Sequence, residues 1–374
     1  MKAPISSNLV KQKALELGFH KVGIASADMD FDLEKQRLQA WLDKGYQADM
    51  AWMANPKRED IRLIMPEVQS LICVAINYYT PHQRPSNPPC EAGLFHSHEK
   101  RGFCRGSAPV PTPATNHRMG VSGQKGRHGG TAPTKNETAL PCEGRGVEAG
   151  VEYAKISRYG WGRDYHKILH KKLKVLANWV RSQGEGIEAR YYADTGPIQD
   201  KMWAQRAGIG WIAKNGNVIS REYGSWVFLG EILTNLELAS DEPHTEHCGT
   251  CTRCIEACPT GAITEPFVVN ADRCIAYHTI ENRAEKLPDE IASNLQGWVA
   301  GCDICQDVCP WNQRFAKPTN VAEFEPYPEN IAPTLAELAD ISDEEWNRRF
   351  TASALRRIKP EMLRRNAKAN QIHP

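Results

Sequence analysis

Seven of the twelve cysteines in this 374-residue chain fall in two runs. Cys248, Cys251, Cys254 and Cys258 are spaced C-x2-C-x2-C-x3-C and precede Pro259, while Cys302, Cys305 and Cys309 are spaced C-x2-C-x3-C and precede Pro310. The first run is the ligand pattern of a bacterial ferredoxin, in which three thiolates hold one 4Fe–4S cubane and the fourth reaches to the other. Two cubanes take eight thiolates, and Cys274 is the candidate that completes the set. The crossover rule assigns Cys248, Cys251, Cys254 and Cys309 to one cluster and Cys258, Cys274, Cys302 and Cys305 to the second. A zinc ribbon with His244 or His247 as a spare ligand is the rival, but four-ligand sites leave Cys258 and Cys309 unexplained. A disulfide framework conflicts with the reducing compartment expected below. Such clusters move electrons singly, so the chemistry to look for is reduction.

The elements that must position these groups can be read from periodicity. A helix capped by Ser6 or Ser7 is expected, with Leu9, Val10, Ala14 and Leu17 facing inward and Gly18 ending it. A strand over 20–26, a helix over 32–44 and a buried strand over 71–78 follow. From Pro81 to Glu152 periodicity disappears among Gly, Pro, Ser and Thr, which predicts a mostly disordered insertion. Cys90, Cys104 and Cys142 lie there at irregular spacing. An amphipathic helix over 164–182 places Ile168, Leu169, Leu173, Leu176, Trp179 and Val180 inward. A strand over 187–193, a helix opened by Pro197 at its first position and a strand over 225–233 complete the pattern.

Strands alternating with helices predict an α/β (α+β) domain built from residues 1–80 and 153–240, interrupted by the insertion at 81–152. A ferredoxin-like double-cluster module occupies 241–318, and a helical, basic C-terminal region 319–374. The net charge of +1 excludes nothing about a polyanionic partner. From Trp346 onward, however, Arg348, Arg349, Arg356, Arg357, Lys359, Arg364, Arg365 and Lys368 face a single acid, Glu361. That tail reads as a solvated helix face or as a surface for tRNA or another polyanion. The opening Met1-Lys2-Ala3-Pro4 carries no secretory or twin-arginine signal, and no apolar run has the length of a membrane span. A cytosolic monomer is expected.

A cluster module alone makes a ferredoxin; the large domain before it implies a second cofactor or a substrate that receives the electrons. No G-x-G-x-x-G follows a strand and no Walker A lysine motif appears. The segment Tyr192-Ala-Asp-Thr-Gly-Pro-Ile-Gln-Asp200 ends a strand, where ligands of such folds gather. Its Asp194 reads equally as a turn residue and as a carboxyl that delivers a proton to a reduced substrate.

The chain resembles the epoxyqueuosine reductases, cobalamin-dependent enzymes of queuosine synthesis in tRNA. The matching residues are Ser157-Arg-Tyr-Gly-Trp-Gly-Arg-Asp-Tyr-His166, Asp194-Thr-Gly-Pro197, Ala207-Gly-Ile-Gly-Trp211 and the complete arrangement from Cys248 to Cys309, with Gly301-Cys-Asp-Ile-Cys-Gln-Asp-Val-Cys-Pro-Trp-Asn312 the most characteristic. The likeness spans nearly all of the chain except residues 81–152. It implies base-off cobalamin in the α/β domain, close to one cluster, with electrons entering from a flavodoxin or ferredoxin. It implies reduction of the epoxide of epoxyqueuosine at the tRNA wobble position to the alkene of queuosine.

By the same resemblance Asp194 aligns with the family's proton donor, and a raised pKa in an apolar, covered site is expected of it. Asp194 and Arg58 align with cobalamin contacts, and Ser157, Lys214, Val218, Ser225, Leu229 and Ile232 do so more loosely; some relatives carry cysteine where Ser157 stands. Trp161 and Trp211 read as core residues or as stacking surfaces. A reductive dehalogenase is the nearest alternative, but such enzymes carry an export signal and a tyrosine donor. A ferredoxin-type electron carrier and a tRNA-binding protein with structural clusters are the others.

Overall fold

The computed structural model describes residues 5–28, 30–84 and 151–373. Helix α1 (Ser7–Glu16) begins where the Ser6 side chain accepts a hydrogen bond from the Leu9 N–H, as a serine cap does. It buries Val10 and Ala14, but Leu9, expected on the inner face, is 45% exposed. One residue is about 100° of turn on a helix, so burying Val10 swings Leu9 outward. Then come β1 (Lys21–Ser26), α2 (Asp32–Asp43), β2 (Ser70–Asn77), β3 (Lys155–Ile156), α3 (Tyr165–Arg181), β4 (Ala189–Tyr192) and α4 (Asp200–Arg206). A short hairpin of β5 (Trp211–Ile212) and β6 (Val218–Ile219) leads to β7 (Val227–Thr234).

Four of these strands form one sheet in the order β1–β2–β7–β4, with every neighbour antiparallel. The alternation of helix and strand therefore yields an α+β core rather than a parallel, doubly wound one. Every residue of β2 is buried because both faces are covered. Ile72, Val74 and Ile76 meet Val10 and Ala14 of α1 and Leu169, Leu173 and Leu176 of α3. Leu71, Cys73 and Ala75 meet Met202, Trp203 and Ala204 of α4. Gly23 on β1 lets the end of α4 approach closely, since a Cβ there would stand 1.8 Å from the Ala207 carbonyl oxygen.

Helix α4 starts at Asp200, three residues later than a helix opened by Pro197. Residues 194–199 form a turn instead: Asp194 has φ +60°, and Arg58 donates to the carbonyls of Gly196 (3.2 Å) and Ile198 (2.8 Å). A guanidinium spent on those carbonyls holds the segment out of the helix.

The cysteine-bearing part contains α5 (Arg253–Glu256), the hairpin β8 (Ile263–Glu265) and β9 (Val268–Val269), α6 (Ile275–Ile280), α7 (Asp289–Ala292), β10 (Trp298–Ala300), α8 (Ile304–Asp307) and α9 (Pro310–Phe315). The chain ends in α10 (Pro328–Ile331), α11 (Leu335–Ala339), α12 (Asp343–Phe350) and α13 (Pro360–Ile372). β10 pairs in parallel with β3, and Leu335, Leu338, Met362, Leu363 and Ala367 close over Ile156 and Val299. The C-terminal helices thus pack on the strand pair that ties the cysteine module to the first domain. Several tail arginines are spent internally. Arg357 pairs with Glu281 and Arg364 with Asp343, while Arg365 donates to the carbonyls of His278, Asn282 and Ala284.

No helix among the described residues is long and apolar enough to cross a membrane. Residues 85–150 of the expected insertion, with Cys90, Cys104 and Cys142, lie outside the described residues. The four residues at its start, 81–84, are described, and Arg84 is packed against the cysteine module.

Candidate functional site

Eight free cysteines are carried by the module's loops and short helices. Cys254 lies within α5, Cys274 is the residue before α6, and Cys305 lies within α8, with Cys302 and Cys309 in the loops beside it. Cys309 and Cys248 belong to one apolar cluster with Trp211, Ala213 and Ile219. Burial first, and then neighbouring thiols, push the group pKa values up. Cys254 senses Cys309 and Cys251, Cys274 senses Cys258, and Cys302 senses Cys305 and Cys274. Cys305 senses Cys274, Cys254 and Cys258, so the two sets that the crossover rule gives adjoin one another. Thiols raised in this way stay protonated alone, so a metal centre must displace their protons as it binds. Among the described residues no three His, Cys, Asp or Glu side chains converge as they would around a single ion; a cubane presents separate iron corners instead.

A cavity of about 1020 Å³ adjoins the second set, and Cys258, Cys274, Cys302 and Cys305 all line it. Leu38 and Trp41 of α2, Met202, Ile212, Val227, Phe228 and Phe267 supply apolar wall, and Gln199, Asn215 and Gln306 supply amides. A large concave space with mostly apolar walls and a few polar groups is what an organic cofactor requires. Its chemistry fits a cubane on the cysteine wall and a larger apolar cofactor beside it.

Of the residues singled out in the sequence, Ser157 and Ser225 stand on this wall. The Ser225 hydroxyl donates to Gln306 Oε1 (2.9 Å), and its backbone N–H donates to Asn312 Oδ1 (2.6 Å). Lys214 Nζ donates to the carbonyls of Gly249 (2.5 Å) and Cys251 (3.1 Å), within the first cysteine run. Val218 and Ile232 are core side chains, and Leu229 packs against the cluster beneath α4. Trp161 and Trp211 are fully buried core residues; Trp211 is ringed by His244, His247 and Trp311.

Two features were not singled out individually in the sequence. The first is Asp303, fully buried between Cys302 and Ile304. It accepts from the Ser157 hydroxyl, the Arg158 N–H and Arg84. Arg84 also bonds Asp307 (2.8 Å) and lies over the rings of Trp161 (5.1 Å) and Trp298 (4.6 Å). Gly301 permits this approach, since a Cβ there would stand 2.5 Å from that of Ser157. Arg84 was hidden at the edge of an unpatterned stretch. The second is Lys201, on the cavity wall, whose Nζ donates to the Gly216 carbonyl (2.7 Å). Burial lowers its pKa, against the opposing charges of Asp200, Cys305 and Asp194.

Asp194 does not have the raised pKa expected of it. Burial favours its neutral form, but hydrogen bonding with His166, the charge on His166 and a hydrogen bond from Tyr165 hold the carboxyl below its ordinary value. His166 Nε2 lies 3.1 Å from Asp194 Oδ2, and His166 Nδ1 lies 2.8 Å from Asp164 Oδ1. Burial would lower the imidazole pKa, yet the hydrogen bonds and charges of the two carboxylates raise it to about 9. The elements explain the meeting. Asp164 caps α3 by accepting from the His166 N–H (3.0 Å), which fixes His166 in the first turn, facing the end of β4. Tyr165 stacks on His166 (4.0 Å between centroids) and on the cavity-lining Phe228 (4.1 Å). Below the turn, fully buried Glu231 on β7 bonds Asp200; burial and the charge of Asp194 push Asp200 up to about 6, while burial and the Asp200 charge push Glu231 up.

Comparison with known proteins gives a consistent answer. The family described as "4Fe-4S double cluster binding domain" matches residues 247–312, which include all eight cysteines. The family described as "Epoxyqueuosine reductase QueG, DUF1730" matches residues 138–195. An epoxyqueuosine reductase of Synechocystis sp. strain PCC 6803 is 54% identical over 350 residues, 93% of this chain and 99% of that protein. One of Gloeobacter violaceus is 44% identical over 363 residues, 96% of this chain and 94% of that protein. A crystal structure of epoxyqueuosine reductase with an epoxyqueuosine-modified tRNA-Tyr stem loop has TM-score 0.76 and 28% identity, covering 98% of this chain and 80% of that one. The Bacillus subtilis enzyme, with a catalytic aspartate loop swung out of its active site, has TM-score 0.74 and 29% identity, covering 98% and 81%.

Proposed function

The chain belongs to the epoxyqueuosine reductase family, and on that premise we propose that it reduces epoxyqueuosine to queuosine in tRNA, an oxidoreductase step completing queuosine synthesis. The observation that carries this reading is the single cavity whose wall includes four cysteines of the double-cluster module and the aromatic Phe228, against which Tyr165, His166 and Asp194 follow in contact. Cys248, Cys251, Cys254 and Cys309 would hold one 4Fe–4S cluster, and Cys258, Cys274, Cys302 and Cys305 the other. Ser157, Ser225 and the amides of Gln199, Asn215 and Gln306 would hold base-off cobalamin, with the apolar wall excluding water. When bound, these groups supply low-potential electrons, delivered by a flavodoxin or ferredoxin, and a strongly reducing cobalt.

The chain's own residues bind, orient and supply protons. Removing an epoxide oxygen as water, with formation of the C=C bond, consumes two electrons and two protons. Asp194, on a turn pinned by Arg58, would serve as the acid for that oxygen. Lys214 braces the first cysteine loop, while Val218, Leu229 and Ile232 act through the packing beneath the site. General acid assistance contributes roughly 10²–10⁴-fold. Nucleoside mass spectrometry of epoxyqueuosine-containing tRNA, incubated anaerobically with cluster-replete protein, cobalamin and reductant, tests the proposal. Conversion that needs cobalamin and falls by about that factor in Asp194→Asn is expected. No conversion by protein with full iron content would refute it.

A further inference from the structure

The proposed reaction takes up two protons for each oxygen removed, and at neutral pH Asp194, ionised and paired, holds neither. Something must load it. The group in contact is His166, whose Nε2 faces Asp194 Oδ2 at 3.1 Å while Asp164 Oδ1 backs Nδ1 at 2.8 Å. We infer that His166 is the proton source for Asp194, with Asp164 as the orienting carboxylate behind it. The inference rests on the reading of Asp194 as the acid.

The geometry shows how loading would work. Two carboxylates grip opposite nitrogens of one ring, so the imidazole carries both protons and stands charged between them. The Asp194 side chain is 59% exposed, which suits an ion pair. Cofactor and tRNA covering that face would take the pair out of water, and burial disfavours separated charges unless they are well compensated. The neutral arrangement then gains: the Nε2–H bond of His166 breaks, an O–H bond forms on Asp194, and the carboxyl gives that proton to the substrate oxygen. His166 takes up another proton from solvent before the second delivery, so each cycle balances two protons with the two electrons from the reductant. The other titratable groups around the pair are Lys167 on α3, the neutral Tyr165 beside Asp194, Arg58 and Arg357, and Asp200, Lys201 and Glu231 below the turn. None of them bonds both carboxylates.

Three variants test this in the cluster- and cobalamin-loaded enzyme under excess reductant, with single-turnover conversion followed against pH. The wild type should hold its rate up to pH about 9, where His166 loses its proton, and fall above. His166→Gln keeps a hydrogen-bonding side chain without a transferable proton; it should be slower by about 10²-fold at neutral pH, with the alkaline limb displaced to acid pH. Asp164→Asn still caps α3 but removes one charge from the ring; it should stay active, with the limb moved down from about 9. An NMR titration of the His166 ring without substrate should show the same order, and a lower ring pKa in Asp194→Asn. If His166→Gln and Asp164→Asn slow the reaction equally at every pH with the limb unmoved, His166 is structural and the inference falls. If the wild type itself makes no queuosine, the parent reading fails instead.

Discussion

The carboxylates flanking His166 make the folded chain's stability depend on pH in a defined way. The imidazole pKa is raised to about 9 from an ordinary 6.5, so its contribution is complete below 6.5 and disappears as pH rises through 9. Asp164 and Asp194 are held below their ordinary 3.8, so their contribution is present above that value and lost on acidification. The stability gap between wild type and His166→Gln in thermal unfolding should therefore be widest between pH 3.8 and 6.5 and narrow on both sides. The sequence pointed to Asp194 from its place at a strand end, and to the cysteines from spacing alone. The direction of the Asp194 shift was not legible. It depends on a side chain 28 residues earlier, and only the packing of the α3 N-terminus against the end of β4 brings the two together. Asp303 was hidden for the same reason: nothing local distinguishes a buried carboxylate that accepts from two distant segments.

Elements with strong patterns were legible, and those set by tertiary contacts were not. The 17-residue α3 and the wholly buried β2 lie within a residue or two of their expected bounds, because one apolar stripe or one apolar run specifies each. Helix α4 was misplaced because Arg58, more than a hundred positions away in sequence, takes the carbonyls that an earlier helical turn would use. The antiparallel pairing of β2 with β7 was likewise invisible, since alternation of helix and strand does not state direction. Close packing of α4 on β1 gives a test at this scale. Gly23→Ala would drive a methyl into the Ala207 carbonyl, and overpacking of this kind costs about 1–3 kcal/mol or more. A lowered melting temperature is expected, with cluster content retained in the protein that stays folded, since Gly23 touches no cysteine loop.

For the molecule as a whole, the double-cluster module and a mixed fold of strands and helices were legible in the sequence, whereas the contacts that seat the C-terminal helices were not. Their arginines read as a solvated helix face or a surface for polyanions; Arg357 and Arg365 tie to an acid and carbonyls of the preceding module, and Arg364 to Asp343 of α12. The crossed cysteine assignment makes a prediction that a simple run-by-run assignment does not. Cys254→Ser and Cys309→Ser should each remove about half of the bound iron, and the double variant no more than either alone, because both belong to one cubane. Cys254→Ser with Cys258→Ser should leave almost none. Iron analysis and electron paramagnetic resonance of anaerobically purified protein decide between the two assignments. The proposed crossing would also govern when a nascent chain can receive its iron. Cys302, Cys305 and Cys309 follow Cys258 by more than forty residues, and under that assignment each cubane draws on the later run. A ribosome that has released only the first run exposes an incomplete set of ligands for both, so maturation machinery must wait until α8 has emerged and then fill two centres in one folded unit.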